Sequence, residues 1–253
     1  MNNIFTILLT IIALINIKAQ KYDISKALKD DFGCIYRADT SKKVIYLVFT
    51  AHDFTDGKDL ILQTLKRNKV KAAFFFTGDF YRNFPDIIEK LKKDGHYIGA
   101  HSNKHLLYCD WTKRDSMLVT DIELIDDLNA NYQEMKKLGI HKKNAKYYIP
   151  PFEWYNAHVV KLCKDEGITV VNFSPGTSSN ADYTTPLMNN YKSSSEILEK
   201  IYQYEKTKPN GLNGFHLLIH FGTDSSRTDK LYYHLDELIR HLRNLGYEFG
   251  RFQ

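Results

Sequence analysis

Cysteine is scarce in this sequence. Only Cys34, Cys109 and Cys163 occur in 253 residues, and no two have the spacing of metal ligands. In an oxidising compartment they allow one disulfide, with three possible pairings and a leftover thiol. Equally, all three fit as small buried hydrophobes. No Lys/Arg run exceeds two residues, and the net charge is +5. The surface is therefore one of mixed, solvated charge, and no nucleic-acid partner is expected. No apolar run reaches the roughly 20 residues of a membrane span, and there is no long linker or low-complexity stretch. With 43% apolar and 26% charged residues, disordered, collagenous and polytopic membrane classes are excluded.

The longest apolar run, Ile4 to Ile17, is broken only by Thr6, Thr10 and Asn16. It ends at Ile17-Lys18-Ala19-Gln20, with a small residue where a signal peptidase can cut. Residues 1–19 read as a cleaved secretory signal, although Met1-Asn2-Asn3 carries no basic side chain. An uncleaved N-terminal anchor is the alternative. No Cys follows the run to accept a lipid. The expectation is an exported, periplasmic or extracellular monomer with no membrane contact after cleavage. An N-terminal extension (20–42) and one domain (43–253) follow.

Seven short apolar runs recur, at 44–50, 71–77, 97–101, 146–150, 168–173, 215–220 and 247–252. Val44-Ile45-Tyr46-Leu47-Val48-Phe49 is apolar on both faces, as a parallel strand covered by helices must be. Between the runs lie helical faces: Ile61, Leu62 and Leu65; Ile87, Ile88 and Leu91; Leu118, Ile122, Ile125, Tyr132 and Met135; Leu231, Leu235, Leu238, Ile239 and Leu242. Gly95, Gly139, Gly167 and Gly246 each stand between a helical segment and a strand-like run, where a left-handed residue ends a helix. The pattern predicts an α/β fold, a barrel or open sheet of about seven parallel strands in one domain. Residues 174–195, rich in Ser, Thr and Asn, read as a long functional loop.

Ligands of such folds bind beyond the carboxyl ends of the strands. There this chain has Thr50-Ala51-His52-Asp53, His101-Ser102-Asn103-Lys104-His105, Pro150-Pro151-Phe152-Glu153-Trp154-Tyr155-Asn156, and His220 followed by Phe221-Gly222-Thr223-Asp224. Two imidazoles four residues apart share one face of a helical turn and can share a metal. Asp53 adds a carboxylate from another strand end. Two His and one Asp with open positions make a hydrolytic or oxidative metal site.

These motifs resemble those of the polysaccharide deacetylases, carbohydrate esterase family 4, the chitooligosaccharide-deacetylase homology domain. The resemblance spans about residues 43–252. The family's His-Ser-x-x-His stands intact at His101 to His105, and Leu-x-His at Leu218-Ile219-His220. Thr-Phe-Asp-Asp appears as Thr50-Ala51-His52-Asp53, and Arg-x-Pro-Tyr as Ile149-Pro150-Pro151-Phe152. The resemblance implies a distorted (β/α) barrel that removes N- or O-linked acetyl groups from a polysaccharide or oligosaccharide with one divalent ion. That ion is Zn²⁺ first, with Co²⁺, Ni²⁺ or Mn²⁺ as substitutes. It implies Asp53, His101 and His105 as ligands, His220 as general acid, and a backbone N–H near Phe152 for the oxyanion.

Three departures accompany it. The catalytic-base Asp is His52, the Arg that orients that base is Ile149, and Asp-x-x-Asp-Trp has no clear counterpart in 174–183. The first two make sense as a pair: an Arg favours an ionised carboxylate but disfavours proton uptake by an imidazole. His52 is therefore the expected base, although exchanged roles for His52 and Asp53 and outright loss of catalysis stand as alternatives. His220 needs a nearby carboxylate to stay cationic, and Asp182, Asp224 and Asp229 are the candidates. Pro151, Phe152, Glu153, Trp154 and Asn156, with Asp182 and Asp224, are expected around the acetylated carbohydrate. Glu153 and Asn156 would orient a ligand or a water, and Trp154, Tyr155, Tyr183 and Phe221 would offer stacking faces. Competing readings are a non-catalytic saccharide-binding protein on the same barrel and a metal-dependent amidase of different substrate.

Overall fold

In the structure, a computed structural model that describes residues 21–253, the seven apolar runs form one parallel sheet. Its strands are β3 (Val44–Ala51), β4 (Ala73–Phe76), β5 (Tyr97–Ala100), β6 (Tyr147–Tyr148), β7 (Thr169–Val170), β8 (His216–His220) and β9 (Glu248–Phe249). The spatial order is β7-β6-β5-β4-β3-β8, and β9 pairs with the start of β3. The sheet curls into the distorted (β/α) barrel of a single domain. Helices α1 (Lys58–Arg67), α2 (Gly78–Asn83), α3 (Pro85–Lys93), α4 (Asp121–Lys137), α5 (Ala157–Asp165), α6 (Ser194–Thr207) and α7 (Leu235–Asn244) connect the strands. The expected signal segment lies outside the described residues. No described helix is long and apolar enough to cross a membrane.

Strand alternation sorts the side chains into two cores. From β3, Val44, Tyr46 and Val48 turn into the barrel with Phe75, Tyr97, Tyr147, Ile149 and Leu218. Ile45, Leu47 and Phe49 turn outward under the helices. Because both faces are buried, β3 is solvent-free along its length. Gly99 lies between Tyr97 and His101 in β5, where a Cβ would come within 2.7 Å of the Phe75 ring. The four helix-ending glycines have φ of 74°, 73°, 72° and 87°, the left-handed conformation expected of them.

Within the expected N-terminal extension, residues 21–42 pack into the fold. They form β1 (Leu28–Lys29) and β2 (Ile35–Arg37). β2 bridges Val171, just after β7, and Phe215, just before β8, so it spans the gap between the two open edges of the sheet. Tyr22 stacks on Phe252 with ring centroids 4.0 Å apart and plugs the barrel floor. The helical face that includes Leu118 and Ile122 is displaced. Both residues are exposed, whereas Tyr132 and Met135 of the expected face are buried along with Leu124 and Leu128, and Thr120 and Glu123 form a capping box at the start of α4. Within 174–195 the chain makes a short 3-10 turn at Ser179–Tyr183 before α6. All three cysteines are free and buried.

Candidate active site

A cavity of about 730 Å³ opens at the carboxyl ends of β3, β5, β6 and β8, with Thr50, His52, His101, His105, Glu153 and His220 in its wall. The inward alternation delivers them. Thr50 continues the Tyr46–Val48 row, His101 continues Tyr97–Gly99, and His220 continues His216–Leu218.

His101 is 2% exposed. Its Nδ1 donates to the Ile149 carbonyl at 2.8 Å, since a carbonyl only accepts. The neutral ring therefore carries its lone pair on Nε2. Burial drives its pKa down to about 3; the bond to Ile149 opposes this, and His220 and His52 add to it. His105 is reached through a loop, not the helical turn expected. Ser102 and His105 have φ of 69° and 56°. Asp127 on α4 accepts the Asn103 and Lys104 N–H groups at 3.1 and 2.9 Å. This loop sets the His101 and His105 rings 5.0 Å apart. Burial, then His101, His52 and His220, lower the His105 pKa to about 2. Two neutral imidazoles with no carboxylate hydrogen-bonded to either suit a soft or borderline cation.

His52 stacks on His105 at 5.1 Å. Its Nδ1 lies 3.1 Å from Thr77 Oγ1 and its Nε2 3.4 Å from Asp53 Oδ1. The Asp53 side chain is 63% exposed. The structure thus brings His52, His101 and His105 together and leaves Asp53 on the rim. Among the described residues, no group of three or more His, Cys, Asp or Glu side chains is arranged to hold a metal ion. The expected set of Asp53, His101 and His105 is not assembled as placed, because the Asp53 carboxylate turns toward His52 and solvent.

The carboxylate facing His220 is Asp182, from the 3-10 turn. It accepts the His220 backbone N–H at 2.9 Å and Nδ1–H at 2.6 Å, which leaves Nε2 for the cavity. Burial disfavours the imidazolium, but Asp182 outweighs burial and holds the pKa above the usual value. The other two candidates have separate tasks. Asp224 binds Ser226 at the cavity rim, and Asp229 accepts the Ser194 N–H that begins α6. Glu153 is half-buried, its side chain 9% exposed, with Oε1 4.0 Å from His101 Nε2. Burial pushes its pKa up to about 7, against the pull of His220.

Around this centre the expectations divide. Phe152 faces the cavity 4.3 Å from the His105 ring, and Tyr183 lines it as well. Pro151, Tyr155 and Phe221 are buried in the fold. Trp154 lies outside the cavity wall: Arg114 packs 3.8 Å over its ring, and its Nε1 donates to Asp110 O. Asn156 is a helix cap; its Oδ1 accepts the Val159 N–H of α5 at 3.0 Å. Ile149, where the family has Arg, packs in the inner core. Sequence reading missed Thr77, Trp111 and Asn131. Trp111 is an exposed aromatic on the cavity wall. Asn131 accepts the His101 N–H and donates to Phe76 O, clamping β5 to β4. Only their positions in three dimensions mark them.

The sequence profile described as Polysaccharide deacetylase matches residues 37–171, a span that holds His52, Asp53, His101, His105 and the proline turn. The chain belongs to the polysaccharide deacetylase family. This family member is 26% identical over 224 residues to PdaA of Bacillus subtilis, a peptidoglycan-N-acetylmuramic acid deacetylase, covering 88% of this chain and 75% of PdaA. An uncharacterised 30.6 kDa protein of Geobacillus stearothermophilus is 29% identical over 140 residues, 55% of this chain and 49% of that protein. The chain thus spans from about half to three quarters of these relatives. The solved PdaA, a family 4 carbohydrate esterase, shares the fold with a TM-score of 0.65 at 24% identity, covering 92% of this chain and 93% of that one. A family 4 pseudoenzyme from Bacillus anthracis shares it at 0.66 and 19% identity, over 85% and 66% of the two chains.

Proposed function

We propose that this protein is an exported, metal-dependent hydrolase that removes N- or O-linked acetyl groups from a polysaccharide or oligosaccharide. The observation that carries the reading is the Asp182–His220 pair, which shares one cavity with His101 and His105 at the carboxyl ends of the strands. The donor chemistry suits a divalent ion, Zn²⁺ first: His101 and His105 would hold it with one carboxylate, Asp53 being the one the family motif designates. When bound, such an ion polarises the acetyl carbonyl and lowers the pKa of water toward about 7.

The chain's own residues account for the proton traffic. A water oxygen attacks the carbonyl carbon, and His52 is the assigned acceptor of its proton. Asp182 at Nδ1 favours the protonated form of His220, which would deliver its Nε2 proton to the leaving nitrogen or oxygen. The C–N or C–O bond breaks and acetate leaves. Phe152, Tyr183 and Trp111 give the sugar apolar faces at the mouth.

Acetate release across N-acetylated chito-oligosaccharides, peptidoglycan and O-acetylated glycans tests the reading. His101→Ala and His220→Ala should abolish release. His52→Ala should cut turnover roughly 10²–10⁴-fold with the ion retained; loss of the ion instead would make His52 a ligand. Full activity in metal-stripped protein would refute metal dependence. Saccharide binding with no release from any substrate would favour the non-catalytic alternative.

A further inference from the structure

We propose that the face of the barrel opposite the cavity is a docking surface for an anionic phospholipid bilayer. The proposal goes beyond the hydrolase reading and is tested separately from it.

Helices that connect parallel strands run against them, so the carboxyl ends of the helices gather at the amino ends of the strands, across the barrel from the cavity. Three of those ends, with the turns that follow α1, α3 and α4, are residues 66–71, 90–96 and 136–146. Together they carry twelve Lys and Arg residues and one carboxylate, Asp94. The whole chain is only +5, so the remainder of it is net negative and the charge is concentrated here. No basic run in the sequence exceeds two residues; the fold collects Lys92-Lys93, Lys136-Lys137 and Lys142-Lys143 onto one face. Contacts between the helix ends make the patch continuous. Lys71 Nζ donates to Asp94 O, and Lys92 Nζ donates to Leu138 O at 2.6 Å. Arg243, at the end of α7, donates to Asn68 O at 2.5 Å.

Helix dipoles account for part of this charge, since a cation beside a helix carboxyl end is stabilised. Ion pairs occupy more of it: Arg67 with Asp236, Lys92 with Glu89, Lys137 with Glu134 and Lys142 with Glu166. Seven lysines of the three segments remain exposed and make no ion pair or side-chain hydrogen bond among the described residues. Three of them, Lys66, Lys90 and Lys93, surround one groove between α1 and α3. Ammonium groups gathered in this way repel one another and set up a positive field that a polyanionic partner relieves.

Two observations select a bilayer among polyanions. Eleven of the twelve basic residues are lysines, and the segments hold no Phe, Tyr or Trp. Lysine is a hydrated point charge that suits a diffuse sheet of phosphates, whereas arginine excels at bidentate recognition and aromatic rings at stacking on bases. The second observation is where the described chain starts. Tyr22 N donates to Arg251 O at 3.0 Å, just past β9, at this same floor of the barrel. The longest apolar run of the sequence, Ile4 to Ile17, precedes it by a few residues. A leader that enters the bilayer during export therefore presents this face, and not the cavity, to the lipid headgroups. The contact is peripheral: charge holds the domain to the surface, and the cavity mouth opens away from it.

The test measures co-sedimentation of the full chain with vesicles of phosphatidylglycerol and phosphatidylcholine, and with vesicles of phosphatidylcholine alone. The readout is the ratio of the two affinities, in which an apolar contribution from Ile4 to Ile17 cancels. Each lysine near an anionic surface is worth about fivefold in binding. Wild type should prefer the anionic vesicles by more than about 100-fold at low salt, and the preference should shrink as salt shortens the Debye length to about 8 Å. The triple variant Lys66→Gln, Lys90→Gln, Lys93→Gln should lower the ratio about 100-fold with the Tm of wild type. The same change at Lys58, Lys113 and Lys192, which stand at helix starts and in a loop on the cavity side, removes equal charge and should cost less than about threefold. Equal binding of wild type to both vesicles overturns the proposal. So does an equal loss in the two triple variants, which would reduce the effect to net charge. Tighter binding to soluble polyphosphate than to the anionic vesicles would assign the face to a polymer and overturn the bilayer assignment.

Discussion

Replacing Asp182 with Asn tests how the proton donor is maintained. Asp182 is 1% exposed and accepts two donors of His220, the backbone N–H at 2.9 Å and Nδ1–H at 2.6 Å. Burial alone would push the His220 pKa below the usual imidazole value; the carboxylate reverses that. A folded pKa above the unfolded one means that the pair's stabilisation is full below about pH 6.5. It is lost as pH rises through the folded value. Asp182→Asn keeps the shape but removes the charge. Its single amide oxygen serves only one of the two N–H donors, so the other is left buried against an NH₂ group. That costs about 1–3 kcal/mol at neutral pH. The ring then escapes the uncompensated burial by losing its proton, and its pKa falls. In the pH–rate profile for acetate release, the alkaline limb should move to lower pH. Above the shifted value the rate should fall about tenfold per pH unit. Urea unfolding at pH 6 and pH 8 gives the stability arm. A variant with the wild-type alkaline limb would show that Asp182 does not hold the His220 proton, and the general-acid assignment would fail with it.

Two further changes probe the barrel. His216 is fully buried, its Nδ1 donates to Asn172 O at 2.7 Å, and burial lowers its pKa to about 4. The unfolded chain binds that proton near pH 6.5, so stability falls as pH drops from 6.5 toward 4. This residue alone should remove about 2 kcal/mol between pH 7 and pH 4.5. His216→Leu should flatten the decline in denaturant unfolding by that amount, and an unchanged slope would count against the neutral buried imidazole. Gly99→Ala would drive a Cβ to 2.7 Å from Phe75 and 3.0 Å from Tyr147 O. Overpacking at that level costs about 1–3 kcal/mol and should lower Tm by several degrees. A Tm equal to wild type would mean that the inner core has slack.

The strands were legible because their signal is local. A run buried on both faces must be apolar at every position, and β3 to β9 all fall on the runs read from the sequence. The helix stops were legible for the same reason, since left-handed geometry selects glycine at 95, 139, 167 and 246. The start of the α4 face was misread because Leu118 and Ile122 continue an apolar period that tertiary packing leaves exposed, while Tyr132 and Met135 are buried. β1 and β2 went unread for a different cause. Their ladder is short, and Ile35 and Arg37 gain their partners from Val171 and Phe215, far along the chain.

The site divides along the same line. His101, His105 and His220 are fixed by the strand that ends beside them, so their positions follow from the period of two. The partner of His220 does not. Asp182, Asp224 and Asp229 are equal on sequence grounds, and the choice depends on how the 3-10 turn at 179–183 folds back over β8. Glu153 is the sharpest case. An ordinary right-handed or extended backbone after Pro151 would have aimed it elsewhere, and two successive residues with positive φ are what place its carboxylate before His101. The fold seats Glu153 in the cavity wall beside the buried His101, a placement that no motif in the sequence marks.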